Sequence, residues 1–182
     1  MKLKKIITLT GDLGSGKSTV SKILIERLNF DYVCTGAIQR TIAERLGMTT
    51  TELNIYAETH PEIDDEIDSI FKSLKDDDNL IVDSRMAWFF LPESFKVFLK
   101  CDVLVAVDRI FADEKRNKEV YENKEIALLN IVERKNSEIR RYIDYYNADI
   151  SDMQNFDLII DTSFLSPQEV VDLILQNFSQ II

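Results

Sequence analysis

Residues 11–18 read Gly11-Asp12-Leu13-Gly14-Ser15-Gly16-Lys17-Ser18 and match the pattern G-x-x-x-x-G-K-[S/T] at every fixed position. The run before them, residues 5–10, is short, apolar and rich in β-formers, which predicts a buried strand. The run after them predicts a helix over residues 17–28. A strand, a glycine-rich loop and a helix in this order are typical of a phosphate-binding loop, called the P-loop below.

Each residue type in the P-loop suits the binding of a nucleoside triphosphate. Backbone N–H groups can approach a phosphate chain closely where glycine removes the Cβ, as at Gly11, Gly14 and Gly16. The following helix points its positive end at the same anion, Lys17 would reach the β- and γ-phosphates, and Ser18 would ligate Mg²⁺. We therefore predict ATP and Mg²⁺ as cofactors, with an ATP-binding segment of Gly11, Asp12, Leu13, Gly14, Ser15, Gly16, Lys17, Ser18 and Thr19.

The composition describes an acidic chain with enough apolar residues for one substantial core. Its 182 residues are 45% apolar and carry a net charge of −10, which predicts a single domain over residues 1–182. The negative charge argues against nucleic-acid and membrane partners, and no segment approaches the ~20 apolar residues of a membrane span. Cys34 and Cys101 lie far apart, as expected of reduced thiols in a cytoplasmic protein. A monomer and a weak homodimer both remain open.

Strands and helices alternate along the rest of the chain. Further strands are predicted over residues 31–34, 80–83, 95–99 and 156–161. This alternation predicts an α/β fold with a five-stranded parallel sheet covered by helices on both faces. The strand over 80–83 ends in Asp83, which we predict as a Mg²⁺ ligand beside Ser18.

Several arginines follow predicted strand ends, where the ligands of open α/β sheets collect. Arg40 lies in a predicted helix over residues 37–46 and points away from its apolar face, so it is either a solvated arginine or an anion ligand. Arg85 comes directly after the strand over 80–83. Arg85 is followed closely by the aromatic residues 88–90, which we expect in the core.

A long helix is predicted over residues 124–147. Arg134, Glu138 and Arg141 recur along it at steps of four and three and so share one face. They either form surface salt bridges or stabilise the charge of a phosphoryl group in transfer. The face expected to pack on the core is a separate apolar stripe made of Leu129, Val132, Ile139, Tyr142, Ile143 and Tyr146.

With these residues in place, the chain resembles the nucleoside monophosphate kinases, and most closely the short, archaeal-type cytidylate kinases. The resemblance runs nearly end to end and implies a three-layer sandwich of the P-loop NTPase type. It also implies an acceptor-binding helical segment over about residues 36–76 and a short lid over about residues 110–125. Beyond the P-loop it rests on residues 35–40, 61–64, 83–85, 133–142 and 157–162.

The resemblance also implies roles for single residues. Arg40 and Arg85 would bind the phosphate of the acceptor nucleotide. The acceptor site would also include Thr35, Gly36 and Asp64. The cations that stabilise the transferring phosphoryl group would come from Lys17, Arg109, Arg134 and Arg141.

Two stretches depart from the family pattern. The P-loop has Asp12 and Leu13 where many nucleotide kinases carry prolines. Ser137-Glu138 stands where the more familiar bacterial cytidylate kinases carry an Arg-Asp pair. The phosphate-binding residues survive both changes, whereas base specificity is left open.

The expected reaction is Mg²⁺-dependent transfer of a phosphoryl group from ATP to a nucleoside monophosphate, CMP or dCMP, giving the diphosphate and ADP. No side-chain nucleophile is required, because the acceptor phosphate is already anionic at neutral pH. Two alternatives stay open. One is a P-loop kinase for another small acceptor, and the other is an ATP-binding regulatory module without transfer activity.

Overall fold

The computed structural model describes residues 5–74, 78–112 and 121–180. Its sheet has five parallel strands in the order β2-β3-β1-β4-β5, so the α/β prediction is confirmed. The last strand begins two residues later than the sequence pattern predicts. The strands are β1 Ile6–Gly11, β2 Asp31–Cys34, β3 Leu80–Asp83, β4 Phe95–Lys100 and β5 Leu158–Asp161.

Helices connect the strands and cover both faces of the sheet, which makes the three layers of the predicted sandwich. A 3₁₀ turn over Met153–Asn155 precedes β5. The helices are α1 Lys17–Leu28, α2 Thr35–Leu46, α3 Thr50–Ala57, α4 Glu62–Leu74, α5 Ala87–Phe90, α6 Val103–Ala112, α7 Lys124–Tyr146 and α8 Pro167–Phe178.

Local signals in the sequence set several of these boundaries. Helix α1 begins after Gly16, whose φ of 85° is in the left-handed region, and it ends at Asn29 in the same region. Helix α8 begins with a capping box, in which Ser166 accepts from the backbone N–H of Glu169 and the Glu169 side chain reaches back to Ser166. Such contacts satisfy N–H groups that the first turn leaves unpaired.

The core lies on both faces of the sheet. On one face α1 and α8 pack on β1 and β4 through Leu9, Leu24, Val97 and Ile174, all fully buried. On the other face the aromatic residues after β3 pack with Phe98 and Tyr142 under α7. Trp88 is therefore a core residue, as expected, whereas Phe89 is partly exposed.

The parallel register brings the carboxyl ends of the strands to one edge. Leu9 and Cys34 both pair with Asp83, and Gly11 pairs with Leu99. The P-loop therefore leaves the central strand between the end of β3 and the end of β4, the position at which ligands bind in open α/β sheets.

Helix α7 packs only in part as predicted, because Ile139, Tyr142 and Tyr146 of its apolar stripe pack on the core, whereas the other three members are exposed. Leu129 is 68% exposed and Val132 is 42% exposed, whereas Glu138 and Arg141 are only 3% and 4% exposed. The reason is that α3, α4 and Arg85 offer partners to the charged face, so its burial is compensated by hydrogen bonds and ion pairs.

Two segment predictions fall partly on residues that the structure does not describe. The lid predicted over about 110–125 has residues 113–120 outside the described part, and only the ends of α6 and α7 flank it. The acceptor-binding segment predicted over about 36–76 consists of α2, α3 and α4, with residues 75–77 outside the described part. Among the described residues no helix combines the length and apolarity needed to cross a membrane.

Candidate active site

The conformation of the P-loop requires glycine at two positions. Gly11 and Gly14 adopt φ values of +149° and +74°. A Cβ on Gly11 would lie 2.2 Å from the Leu99 carbonyl oxygen, and one on Gly14 would lie 2.7 Å from the Cα of Ala106. Both contacts are shorter than real Cβ contacts, so the loop conformation depends on glycine at both positions. A backbone held in this way can direct N–H groups at an anion, as ATP requires.

Lys17 lies across this loop. Its ammonium donates hydrogen bonds to the carbonyl oxygens of Gly11, at 2.9 Å, and Asp12, at 2.8 Å. Ser15 closes the turn below it by donating from its hydroxyl to the same Asp12 carbonyl at 2.8 Å. Burial, and then the nearby Arg85 guanidinium, lower the pKa of Lys17 to about 7. An ammonium in this position gains from any polyanion that enters the loop.

The residues predicted to hold Mg²⁺ are a hydroxyl and a carboxylate beside the P-loop. Ser18 and Thr19 are exposed in the first turn of α1, and Asp83 ends the neighbouring strand β3. The Tyr32 hydroxyl donates to Asp83 Oδ2 at 3.4 Å. Within the described residues no three or more His, Cys, Asp and Glu side chains form a metal cluster. One hydroxyl and one carboxylate nevertheless fit Mg²⁺, which usually takes its other ligands from water and nucleotide phosphates.

Arg85 links the end of β3 to both the P-loop and α7. One of its terminal nitrogens donates to the Gly11 carbonyl oxygen, and its Nε donates to Glu138 Oε2 at 2.6 Å. Glu138 also accepts from Arg134 Nε at 3.1 Å. Burial raises the pKa of Glu138, but Arg85, Arg134 and Arg141 outweigh it and hold the pKa at about 2. Glu138 is therefore an ionised acceptor that fixes two arginines beside the P-loop.

Arg134 extends this group of charges to the predicted acceptor-binding segment. One terminal nitrogen donates to Gln39 Oε1 on α2 at 3.1 Å, and the other lies 3.4 Å from the Thr50 hydroxyl on α3. The Gln39 amide in turn donates to Asn54 Oδ1 at 3.2 Å. Polar contacts thus run from the P-loop through α7 to the helices that follow β2.

Arg141 and Asp64 lie deeper, and the structure does not present either to a ligand. Arg141 Nε lies 2.8 Å from Asp64 Oδ2, and both side chains are 3% exposed. Arg141 also donates to the Asn54 carbonyl oxygen at 2.9 Å and to the Tyr142 hydroxyl at 3.1 Å. Burial raises the pKa of Asp64 to about 6, although Arg141 opposes the shift. The pair holds α4 against α7 from inside.

Thr35, Gly36 and Arg40 lie together at the carboxyl end of β2. Thr35 is the buried first residue of α2, and the Cys34–Asp83 pairing sets it beside the end of β3. Arg40 is exposed, and its terminal nitrogen lies 3.6 Å from the position a Cβ on Gly36 would take. The structure therefore brings these three residues to one place and leaves the Arg40 guanidinium accessible.

Arg109 reaches the P-loop from the opposite side, on α6. It donates to the Gly14 carbonyl oxygen at 3.2 Å and to the Thr162 carbonyl oxygen at 2.6 Å. The Thr162 hydroxyl also donates to the Ser15 carbonyl oxygen at 3.1 Å. Arg109 therefore joins the P-loop to the turn after β5.

Some residues of this site have no predicted role of their own. The sequence indicates Glu138 chiefly through its position one turn after Arg134 on the same helical face. Thr162 had a weaker signal, namely its place directly after a predicted strand end. Lys135 and Gln39 lie in stretches on which the resemblance rests, but nothing in the sequence gives either a role, because their partners lie far away in sequence.

Solved structures share the fold. A shikimate kinase from Bacteroides thetaiotaomicron superposes with a TM-score of 0.64 at 15% sequence identity, over 96% of this chain and 98% of that one. At this identity the likeness shows the fold alone, that of the P-loop kinases.

Sequence comparison gives the family. The AAA_18 family model, described as an AAA domain, matches residues 7–130. A cytidylate kinase from Sulfolobus acidocaldarius is 37% identical over 172 residues, which are 93% of this chain and 91% of that protein. A cytidylate kinase from Methanocaldococcus jannaschii is also 37% identical, over 163 residues, 87% of this chain and 88% of that protein. This chain therefore belongs to the cytidylate kinase family, as the resemblance in its sequence predicts.

Proposed function

We propose that this protein transfers the γ-phosphoryl group of ATP to CMP or dCMP and releases ADP and the nucleoside diphosphate. The observation that carries the proposal is the chain of contacts from the Gly11 carbonyl through Arg85, Glu138 and Arg134 to Gln39. These contacts connect a loop suited to a triphosphate with the helices that follow β2, on the first of which the exposed Arg40 lies. The relatives named cytidylate kinase support CMP as the acceptor.

On the donor side, the amides of the P-loop and the Lys17 ammonium bind the β- and γ-phosphates. Lys17 can exchange its contacts with the Gly11 and Asp12 carbonyls for phosphate oxygens without leaving the loop. Ser18 and Asp83 hold Mg²⁺, which when bound supplies positive charge to the same phosphates. Arg109 braces the loop against the turn after β5.

On the acceptor side, Arg40 and Arg85 bind the phosphate of the monophosphate, and Arg134 adds charge to the phosphoryl group in transfer. Thr35 and Gly36 form the start of the helix on which Arg40 lies. Asp64 and Arg141 act as positioning residues, because their buried pair fixes α4 to α7 and so aligns the arginines. Catalysis consists of alignment and charge neutralisation, since the attacking phosphate oxygen is already anionic.

The test is ADP formation from ATP and Mg²⁺ against a panel of the common ribo- and deoxyribonucleoside monophosphates. We expect turnover with cytidine nucleotides, none with the Lys17→Ala variant, and unchanged turnover with Lys22→Ala, which alters an exposed lysine of the same helix. Selective turnover of a different nucleotide would show that this nucleotide, and not CMP or dCMP, is the acceptor. If no nucleoside monophosphate stimulated ADP formation, the result would contradict the proposal and favour a different small acceptor or an ATP-binding module without transfer.

A further inference from the structure

Asp12 and Leu13 lie in the P-loop, and both side chains point toward the structure beside the loop. Leu13 packs against the apolar cluster of α6 and α7 that contains Val107 and Ile131. The Asp12 carboxylate accepts from the Cys101 N–H at 3.0 Å and from the Lys135 ammonium on α7 at 2.8 Å. The P-loop therefore carries one charged and one apolar side chain that anchor it to its surroundings.

The Asp12 carboxylate is an unusual neighbour for a site that binds a polyanion. Its side chain is 12% exposed, so water screens its charge poorly, and it acts on Lys17 by raising that group's pKa against the effect of burial. An unpaired carboxylate in the P-loop would repel the phosphates of ATP. Lys135 supplies the compensating charge, with a side chain that is 54% exposed.

We propose that Lys135 is a positioning residue for ATP binding, which neutralises the Asp12 carboxylate and keeps the P-loop docked on α7. In this arrangement Lys135 acts through Asp12 and makes no contact with phosphate. Because α7 also carries Arg134 and Glu138, the same ion pair fixes the distance between the ATP loop and the arginines of the acceptor side. The inference rests only on the ATP-binding part of the proposed function and not on the identity of the acceptor.

A double-mutant cycle separates this role from direct phosphate binding. We would measure the dissociation constant of Mg·ATP by calorimetry for Lys135→Met in two backgrounds, one with Asp12 and one with Asp12→Asn. The pair is partly exposed, so we expect Lys135→Met to weaken binding about two- to fivefold when Asp12 is present. With Asn at position 12 there is no charge to neutralise, and the same substitution should have no effect.

Salt and a matched ion pair provide the controls. Raising ionic strength to about 0.5 M should shrink the effect of Lys135→Met, because a partly exposed pair is screened. Lys135→Arg should restore wild-type affinity. Arg27 pairs with Asp172 and joins the carboxyl end of α1 to α8 without touching the P-loop, so Arg27→Met should leave ATP affinity unchanged.

Two results would overturn the proposal. An equal loss of affinity in both backgrounds would mean that Lys135 contacts phosphate itself, and no loss in either would mean that the pair does not affect ATP binding. If Asp12→Asn does not fold, Asp12→Ser provides the second uncharged background. Failure of wild-type protein to bind ATP would instead contradict the proposed function.

Discussion

Among single residues, Lys17 has the environment with the clearest chemical consequence. Its pKa is lowered to about 7 chiefly by burial, so the ammonium and the neutral amine are both populated at neutral pH. Phosphate groups stabilise the ammonium and raise its pKa. ATP binding near pH 7 should therefore take up a fraction of a proton, and ATP affinity should fall as the pH rises from 7 to 9.

Calorimetry in two buffers of different ionisation enthalpy measures this proton uptake. The Lys17→Met variant serves as the control, because it has no titrating group at this position and should show no uptake assignable to it. Binding of ATP to the wild-type protein without proton uptake between pH 7 and 8 would contradict the assignment.

Glu138 carries the second prediction at this scale, because it holds two arginines in a buried position. Replacing one partner of a buried ion pair costs about 3–5 kcal/mol of unfolding free energy, which corresponds to a drop of roughly 6–20 °C in melting temperature. We expect Glu138→Gln to show such a drop at pH 7 in a thermal melt. Glu133→Gln, an exposed carboxylate on the same helix, should melt within about 2 °C of wild type.

The pH dependence of this loss follows from the sign of the pKa shift. The pKa of Glu138 lies below its ordinary value, so its charge stabilises the fold above about pH 4.5, and this contribution is lost as the pH falls toward 2. The difference between wild type and Glu138→Gln should shrink over that range. A Glu138→Gln variant as stable as wild type at pH 7 would argue against the charge network.

Among the secondary-structure elements, α7 gives the sharpest test because its exposed and buried faces differ from the sequence pattern. Ile131 is 6% exposed and packs with α6, whereas Leu129 lies in solvent. Ile131→Ala should cost about 2–5 kcal/mol of unfolding free energy, and Leu129→Gln should cost less than about 0.5 kcal/mol. Chemical denaturation measures both, and a larger loss for Leu129→Gln would mean that Leu129 packs on the core as predicted.

The contrast between α7 and the P-loop shows what the sequence could predict. The loop and its flanking strand and helix are fixed by residues within a few positions of one another, and these predictions are confirmed. The burial of Glu138 depends on Arg85, which lies 53 residues away, and that of Arg141 depends on Asn54, 87 residues away. Periodicity contains no information about such partners, so it could not show that the charged face is buried.

For the whole molecule, the proposed function requires two phosphate-binding sites that face each other across the carboxyl edge of the sheet. Backbone amides and Lys17 would form one, and arginines reached from β3, α2 and α7 would form the other. The Asp12–Lys135 pair and the Arg85–Glu138–Arg134 contacts join the two within the described residues. A ligand that fills both sites at once would gain the binding energy of each while losing its freedom of motion only once.

The most direct measurement is therefore the affinity of a bisubstrate ligand in which adenosine and cytidine are joined through five phosphates. We expect one molecule to bind per chain, at least about 100-fold more tightly than ATP, with large losses of affinity in both Lys17→Ala and Arg40→Ala. Binding no tighter than that of ATP, or binding that Arg40→Ala leaves unchanged, would show that the two sites do not face each other.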